Sequence, residues 1–130
     1  MKALEKKIDI IVEKTDTGYS AYAEKLHVFT TATDIPALYS ALLEALNLYY
    51  EESGHKVRSE DLRLHLDLQQ FFRYYRVLNA SFLAERIGMN PTLRSQYVRG
   101  KKKPSPRQTR KILRGIQSIG KELSEINFTN

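Results

Sequence analysis

Cysteine is absent from the chain, which excludes a disulfide framework and any thiolate metal site. The sequence also lacks an apolar run long enough to cross a bilayer, which needs roughly 18 residues. Its opening segment, MKALEKKIDIIVEK, is charged throughout and has no apolar signal-peptide core. We therefore expect a cytoplasmic protein with no membrane partner.

Catalytic and nucleotide-binding motifs are missing as well. The chain has no P-loop, no G-x-S-x-G nucleophile motif and no G-x-G-x-x-G dinucleotide motif. Its histidines, His27, His55 and His65, are far apart in the sequence and do not have metal-ligand spacing. We expect no enzyme activity, no cofactor and no metal site.

Charge is distributed unevenly along a chain of otherwise globular composition, with 42% hydrophobic and 28% charged residues. Residues 1–67 carry 8 Lys/Arg and 12 Asp/Glu, a net charge of −4, whereas residues 68–130 carry 13 and 3, a net charge of +10. This asymmetry is expected where only one half of a protein meets phosphate. The alternative is a solvated basic surface, but the cations cluster around one motif.

The first half of the chain has strand patterns. In Lys7–Lys14, Ile8, Ile10 and Val12 alternate with Asp9, Ile11 and Glu13, which predicts a strand with one apolar face. Asp16–Gly18 predicts a turn, since glycine tolerates positive φ. Two further strands are predicted over Tyr19–Lys25 and Val28–Thr33.

A helix and a fourth strand complete this half. Asp34 can cap the helix, Pro36 suits its first turn, and Ser53-Gly54 ends it. Its predicted buried stripe is Leu38, Leu42, Ala45, Leu46 and Tyr49. Alternating leucines in Leu62–Leu66 predict the last strand. The order β-β-β-α-β predicts an α+β fold with one helix packed on a face of the sheet.

The second half is predicted to be all helical. Its first helix, Asp67–Val77, has an apolar stripe that we interpret as core and that consists of Leu68, Phe71, Phe72 and Tyr75. Two short helices follow on either side of Gly88, and Asn79 and Asn90-Pro91 are suited to begin them. The inner face of the earlier one is Ala80, Leu83, Ala84 and Ile87. Two short helices across such a turn describe a helix-turn-helix, whose second helix enters the DNA major groove.

The second short helix is predicted to end near Arg99, before Gly100, with Leu93 and Tyr97 on its inner edge. Its outward positions are predicted to read base edges and are Thr92, Ser95, Gln96 and Arg99. Phosphate contacts are predicted at helix starts and in a basic loop, by Asn79, Asn90, Lys101, Lys102, Lys103 and Arg107. A plain helical hairpin with a polar outer face is the alternative.

A long final helix is predicted from a capping box at Ser105–Gln108 to about Ile126. Its apolar side consists of Ile112, Leu113, Ile116, Ile119, Leu123 and Ile126. The helix is longer than a small bundle needs, so its end could pack on the first domain or on a second copy of the chain. Residues 128–130 are predicted to be a frayed tail.

The segment LAERIGMNPTLRSQYVRGKKKP resembles the helix-turn-helix of the Xre and phage-repressor type, which runs L-A-x-x-x-G and ends in G-K-x-x-P. The matching positions are Leu83, Ala84, Gly88, Gly100, Lys101 and Pro104. Arg94 stands where the pattern usually has an inward apolar residue, and Val98 where it often has Glu. Either the recognition helix is rotated slightly, or Arg94 extends its stem to the surface.

The first half resembles the HicB antitoxin domain, through the strand IDIIVEK, the turn DTGYSAYA and the helix PALYSALLEALNLYYEE. Lys25-Leu26-His27 stands where HicB-type chains often have Pro and Gly-Cys. The resemblance implies a partial RNase-H-like fold for residues 1–66 that binds and blocks a HicA-type, RNA-cutting toxin. Many HicB-like antitoxins end in an Xre-type helix-turn-helix, which residues 67–130 would supply.

An RNase-H-like fold raises the question of metal-dependent nuclease activity, which needs converging carboxylates. The carboxylates predicted on or near strands are Asp9, Glu13, Glu24 and Asp61. Only Asp9 and Glu13 share a strand face, and alternating charges are typical of a solvated face. We therefore disfavour a nuclease.

The two resemblances imply an antitoxin that neutralises a HicA-type toxin and represses its own operon. A single helix-turn-helix buries little surface, which predicts a homodimer, or a higher even oligomer, on palindromic operator DNA. The toxin-facing residues cannot be named from the sequence. The alternative is an orphan helix-turn-helix regulator whose sheet domain serves oligomerisation or ligand sensing.

Overall fold

The chain has an α+β fold with a four-stranded mixed sheet. A computed structural model describes residues 2–4 and 6–128, with only the backbone of residues 93, 94, 97 and 98. The strands are β1 (Ile8–Thr15), β2 (Gly18–Ala23), β3 (Phe29–Ala32) and β4 (Leu62–Leu66). The α-helices are α1 (Ile35–Tyr49), α2 (Leu68–Tyr74), α3 (Ala80–Arg86), α4 (Pro91–Val98) and α5 (Pro106–Ser124).

The sheet has the strand order β3-β2-β1-β4, in which β1, β2 and β3 are antiparallel neighbours and β4 runs parallel to β1. β1 lies between β2 and β4, and Ile8, Ile10 and Val12 are buried on its inner face, as their alternation predicts. The turn before β2 requires glycine, since Gly18 has φ +153° and a Cβ there would lie 2.2 Å from the Ala32 carbonyl oxygen.

Helix α1 covers the inner face of the sheet. Asp34 caps it as predicted, with Oδ1 accepting a hydrogen bond from the Ala37 N–H at 2.8 Å. Its fully buried side chains are Leu38, Leu42 and Leu46. The prediction that Tyr49 is buried is wrong: Tyr49 is 52% exposed. It lies in the last turn, where its ring packs edge-on against Tyr50 at 5.1 Å between centroids.

The chain divides into two compact units, Met1–Tyr74 and Tyr75–Asn130, called unit 1 and unit 2 below. The sequence predicts a domain boundary after residue 66, whereas the two units divide after Tyr74, so α2 belongs to unit 1. The reason is that Gln70 pairs with the backbone of Lys14 in β1, donating from Nε2 to the carbonyl (2.8 Å) and accepting from the N–H at Oε1 (2.9 Å). Tyr74 also donates a hydrogen bond to Asp16 (2.9 Å). α2 ends at Tyr74 rather than at Val77.

Unit 2 is a small helical body in which α3 contacts both α4 and α5. Its buried apolar residues, among those with described side chains, are Leu83, Ala84, Met89 and Ile112. The predicted apolar stripe of α5 is buried or half-buried only as far as Ile119. The helix ends at Ser124, and Leu123 and Ile126 are 61% and 56% exposed.

Candidate nucleic-acid interface

Helix α3 begins and ends by the local signals read from the sequence. Asn79 Oδ1 accepts a hydrogen bond from the Phe82 N–H at 3.0 Å, which satisfies one of the free donors at the helix start. Leu83 and Ala84 are buried, and Ile87 is half-buried, so the predicted inner face is confirmed. α3 therefore packs on its neighbours through this apolar side, and the residues that it exposes on the other side are Ser81, Phe82, Glu85 and Arg86.

The turn after α3 is closed by backbone hydrogen bonds. Gly88 has φ +77°, and its N–H bonds to the Glu85 carbonyl at 3.1 Å, while the Met89 N–H bonds to the Ala84 carbonyl at 2.9 Å. This pair of bonds is a Schellman motif, which ends a helix at a left-handed residue. Met89 is buried, so the turn is anchored in the body of unit 2 and sets the start of α4.

Helix α4 is held at both ends in the same way. Asn90 Oδ1 accepts from the Thr92 N–H at 2.8 Å, and Pro91 occupies the first helical position. At the far end Gly100 has φ +73° and the Lys101 N–H bonds to the Gln96 carbonyl at 2.9 Å. Both predicted ends of this helix are confirmed to within a residue.

The outward side of α4 forms one open groove of about 410 Å³. It is lined by Pro91, Thr92, Ser95, Gln96, Arg99 and Lys101. Thr92, Ser95 and Arg99 are exposed, and Gln96 is half-buried. The structure thus brings together all four residues predicted to read base edges, because their spacing of three and four residues places them on one side of the helix.

The residues predicted to contact phosphate are all exposed. Lys101, Lys102 and Lys103 lie in the loop between α4 and α5, and Arg107 lies in the first turn of α5. Asn79 and Asn90 already use their side-chain oxygens to cap helices. Their amide nitrogens and the neighbouring backbone N–H groups are the donors that these two sites can offer to an anion.

Helix α5 supports α3 through a close approach that sequence reasoning missed. A Cβ on Gly115 would lie 2.5 Å from Cγ2 of Ile87, so only glycine lets the two helices meet here. Arg86 on α3 also forms an ion pair with Glu122 on α5. The available signal was a glycine inside a helix, which costs about 1 kcal/mol and needs a packing reason.

The carboxylates considered for nuclease chemistry are not gathered. Asp9 is bound by its own neighbours on β4, since Arg63 donates to both of its oxygens (3.0 and 3.1 Å) and His65 Nε2 lies 2.8 Å from Oδ1. The hydrogen bond from His65, and then that from Arg63, lower the pKa of Asp9 against an opposing effect of desolvation. Asp61 accepts a hydrogen bond from the Arg58 N–H instead (2.8 Å).

Several predictions concern side chains outside the described residues. These are the inner edge of α4, formed by Leu93 and Tyr97, and the two departures from the repressor-type pattern, Arg94 and Val98. The last two residues of the expected tail, 129 and 130, also lie outside them. All of these stay predictions.

The described residues lack a metal-binding cluster and a helix that could span a membrane. They contain no group of three or more His, Cys, Asp or Glu side chains placed to hold a metal ion. Within the same residues, none of the helices combines the length and apolarity that a membrane span needs. Comparison of the chain with models of known protein families, with curated proteins and with solved structures finds no match.

Proposed function

We propose that the chain is a DNA-binding repressor in which α3 and α4 act as a helix-turn-helix. The observation that carries this is the groove on α4, where Thr92, Ser95, Gln96 and Arg99 lie side by side. Gln can bond bidentately to adenine and Arg to guanine in the major groove. α4 spans about 12 Å at 1.5 Å per residue, enough to read a few base pairs.

Electrostatics supports the same function. No Asp or Glu occurs between Glu85 and Glu122, a stretch that carries eleven Lys and Arg. Lys101 borders the groove itself, and Lys102 and Lys103 follow it in an exposed loop. A duplex presents one negative charge per about 1.7 Å of its axis, so this stretch would release condensed counterions on binding.

A homodimer fits this function, because a helix of eight residues reads too few base pairs to select one operator. The end of α5 offers a surface for a second copy. Leu123 and Ile126 are exposed there, and Phe128 is 92% exposed. Two copies would place their α4 helices about one helical turn of DNA apart on a palindrome.

The test compares two single substitutions in the full chain, with duplex DNA from its own promoter. Gln96→Ala should cost about 1–3 kcal/mol of binding free energy and relax specificity at one base position. Lys102→Ala should instead weaken all sequences alike and lower the salt slope by about one. If the two variants behave identically, α4 does not read bases as proposed.

For unit 1 we propose the other function of a HicB-like antitoxin, which is to bind a small HicA-type ribonuclease toxin. A helix between β3 and β4, with β4 parallel to β1, supports the partial RNase-H-like interpretation. The net charge of residues 1–74 is −3, which suits a basic, RNA-binding partner. The engagement of Asp9 by Arg63 and His65 favours binding over metal-dependent catalysis.

Co-expression with the protein encoded by the small reading frame beside this gene tests toxin binding. When that neighbouring protein is purified through an affinity tag, the full chain should be purified with it, and a chain beginning at residue 75 should not. Failure of the full chain to be retained would contradict the antitoxin role. That result would favour the second candidate, an orphan regulator whose sheet serves assembly or ligand sensing.

A further inference from the structure

Helix α5 carries a row of positive charge that the groove on α4 does not include. Arg107, Arg110, Lys111 and Arg114 are all exposed, and Arg107 and Arg114 are each three and four residues from the adjacent pair Arg110 and Lys111. We call them the α5 ridge. Arg110 and Arg114 are each two residues from the buried Ile112, about 200° around the helix, so they point away from that side chain, and Lys111 lies about 100° from it, at the edge of the packed side.

The ridge is unfavourable for the isolated helix. Like charges three and four residues apart repel each other. The first turn of α5 contains no acidic residue, so Arg107 and Arg110 stand near the positive end of the helix dipole without compensation. Among the described residues, none of the four ridge side chains forms an ion pair with a carboxylate.

A solvated helix face usually mixes charges of both signs, which gives stabilising pairs at no cost in solubility. All charges of the ridge are positive over about 10 Å of the helix axis, which equals the axial rise of about three base pairs of DNA. A local arrangement that opposes helix stability is the kind of conflict found at functional sites. The ligand that would relieve it is a regular row of phosphates.

We propose that the α5 ridge is a sequence-independent binding surface for the phosphates of duplex DNA. This proposal rests on the proposed function only in taking DNA as the ligand, and it does not require α4 to contact base edges. The ridge lies on a different helix from the groove, with the loop of Lys101–Lys103 between them. It extends the protein's contact with DNA beyond the residues that line the groove.

The test uses the full chain with Arg110, Lys111 and Arg114 all changed to Gln, and a duplex of random sequence over a salt series. The slope of log affinity against log salt should fall by about 3, since each phosphate contact contributes about 0.9. Affinity at 0.1 M salt should fall roughly tenfold or more. The melting temperature should stay the same or rise, because repulsion within α5 has been removed.

A matched control removes the same number of charges from unit 1. Lys25, Lys56 and Arg58 are exposed. Changed together to Gln, they should leave the salt slope as it is in the unmodified protein. If the salt slope fell equally in both triple variants, the proposal for the α5 ridge would be wrong, since total charge alone would then explain binding.

The remaining outcomes separate the ridge from the proposed function. If the ridge variant has the same salt slope as the unmodified protein, the α5 ridge does not bind phosphates, whatever the effect of Gln96→Ala on operator binding. A slope that falls as expected while Gln96→Ala changes nothing supports the ridge and contradicts base reading by α4. A ridge variant that loses affinity for RNA but keeps it for duplex DNA overturns the assignment to DNA.

Discussion

The two units differ in what they bury and in the charge that they display. Unit 1 packs eleven buried apolar residues into one core between the sheet and α1. Unit 2 has four such residues among those with described side chains. The net charge is −3 over residues 1–74 and +9 over residues 75–130. Among the described side chains, unit 1 has the larger apolar core, and unit 2 combines a smaller one with helix caps and close helix contacts.

The difference has a physical consequence for function. A short body held by Asn79, Asn90 and two glycine turns can expose most of its side chains, which suits a surface that meets a polyanion. A sheet domain with a compact core and a net negative charge suits recognition of a basic protein partner.

Gln70→Ala should weaken unit 1 and leave unit 2 intact. Gln70 supplies two hydrogen bonds to the Lys14 backbone, 56 residues away, each contributing about 1 kcal/mol. The loss should therefore be about 2 kcal/mol in the free energy of unfolding. Amide hydrogen exchange would show faster opening in β1 and α2 only. The control is Gln69→Ala at an exposed neighbouring position, which should have little effect.

If Gln70→Ala accelerated exchange in α3 and α4 instead, α2 would belong functionally with the helical unit. The boundary after residue 66 would then be the correct one.

Substitution of two glycines in α5 should have opposite effects. Gly115→Ala should destabilise unit 2 by about 1 kcal/mol, because overpacking against Ile87 outweighs the gain in helix propensity. Gly120→Ala has open space around it and should stabilise the helix by about 0.5–1 kcal/mol. Thermal unfolding measures both. Similar stabilisation by the two variants would contradict the close approach of α5 to α3.

Asp9→Asn should reduce the stability of unit 1 by about 0.5 kcal/mol at neutral pH, as expected for a partly exposed ion pair. The folded-state pKa of Asp9 is lowered, so its contribution is present above the unfolded value and is lost as pH falls through the lower folded value. Variant and unmodified protein should therefore begin to converge as the pH falls below about 4, the ordinary pKa of Asp, and should match once the pH lies below the lowered folded value.

Urea unfolding at several pH values checks this. Glu13→Gln is the control, since Glu13 is on the same strand face and forms no ion pair among the described residues. A difference between Asp9→Asn and the unmodified protein that persisted at pH 2 would rule out the ion pair as its cause.

Features encoded within a few residues could be predicted from the sequence. The caps by Asp34, Asn79, Asn90 and Ser105 are all confirmed, because each hydrogen bond spans only two or three residues. The same holds for the ends of α3 and α4, where glycine is needed for a left-handed backbone. The grouping of the outward α4 side chains follows from helical spacing alone.

Features that depend on distant partners could not be predicted. The pairing of Gln70 with Lys14 and the parallel register of β4 on β1 join parts of the chain that are more than 50 residues apart. Gly115 has a meaning only once Ile87 is known to lie beside it.

Of the predicted core stripe of α2, only Leu68 is buried. Phe71 and Phe72 are half-buried and Tyr75 lies beyond the end of the helix, because periodicity does not reveal which body an apolar face packs against.

The most direct test of the account is amide NMR of the full chain as duplex DNA from its own promoter is added. We predict shifts in α4, in the loop of residues 101–105 and in the first half of α5, with the sheet of unit 1 unchanged. Shifts confined to unit 1, or none in α4 at saturating DNA, would contradict the claim that the basic unit binds DNA through this helix.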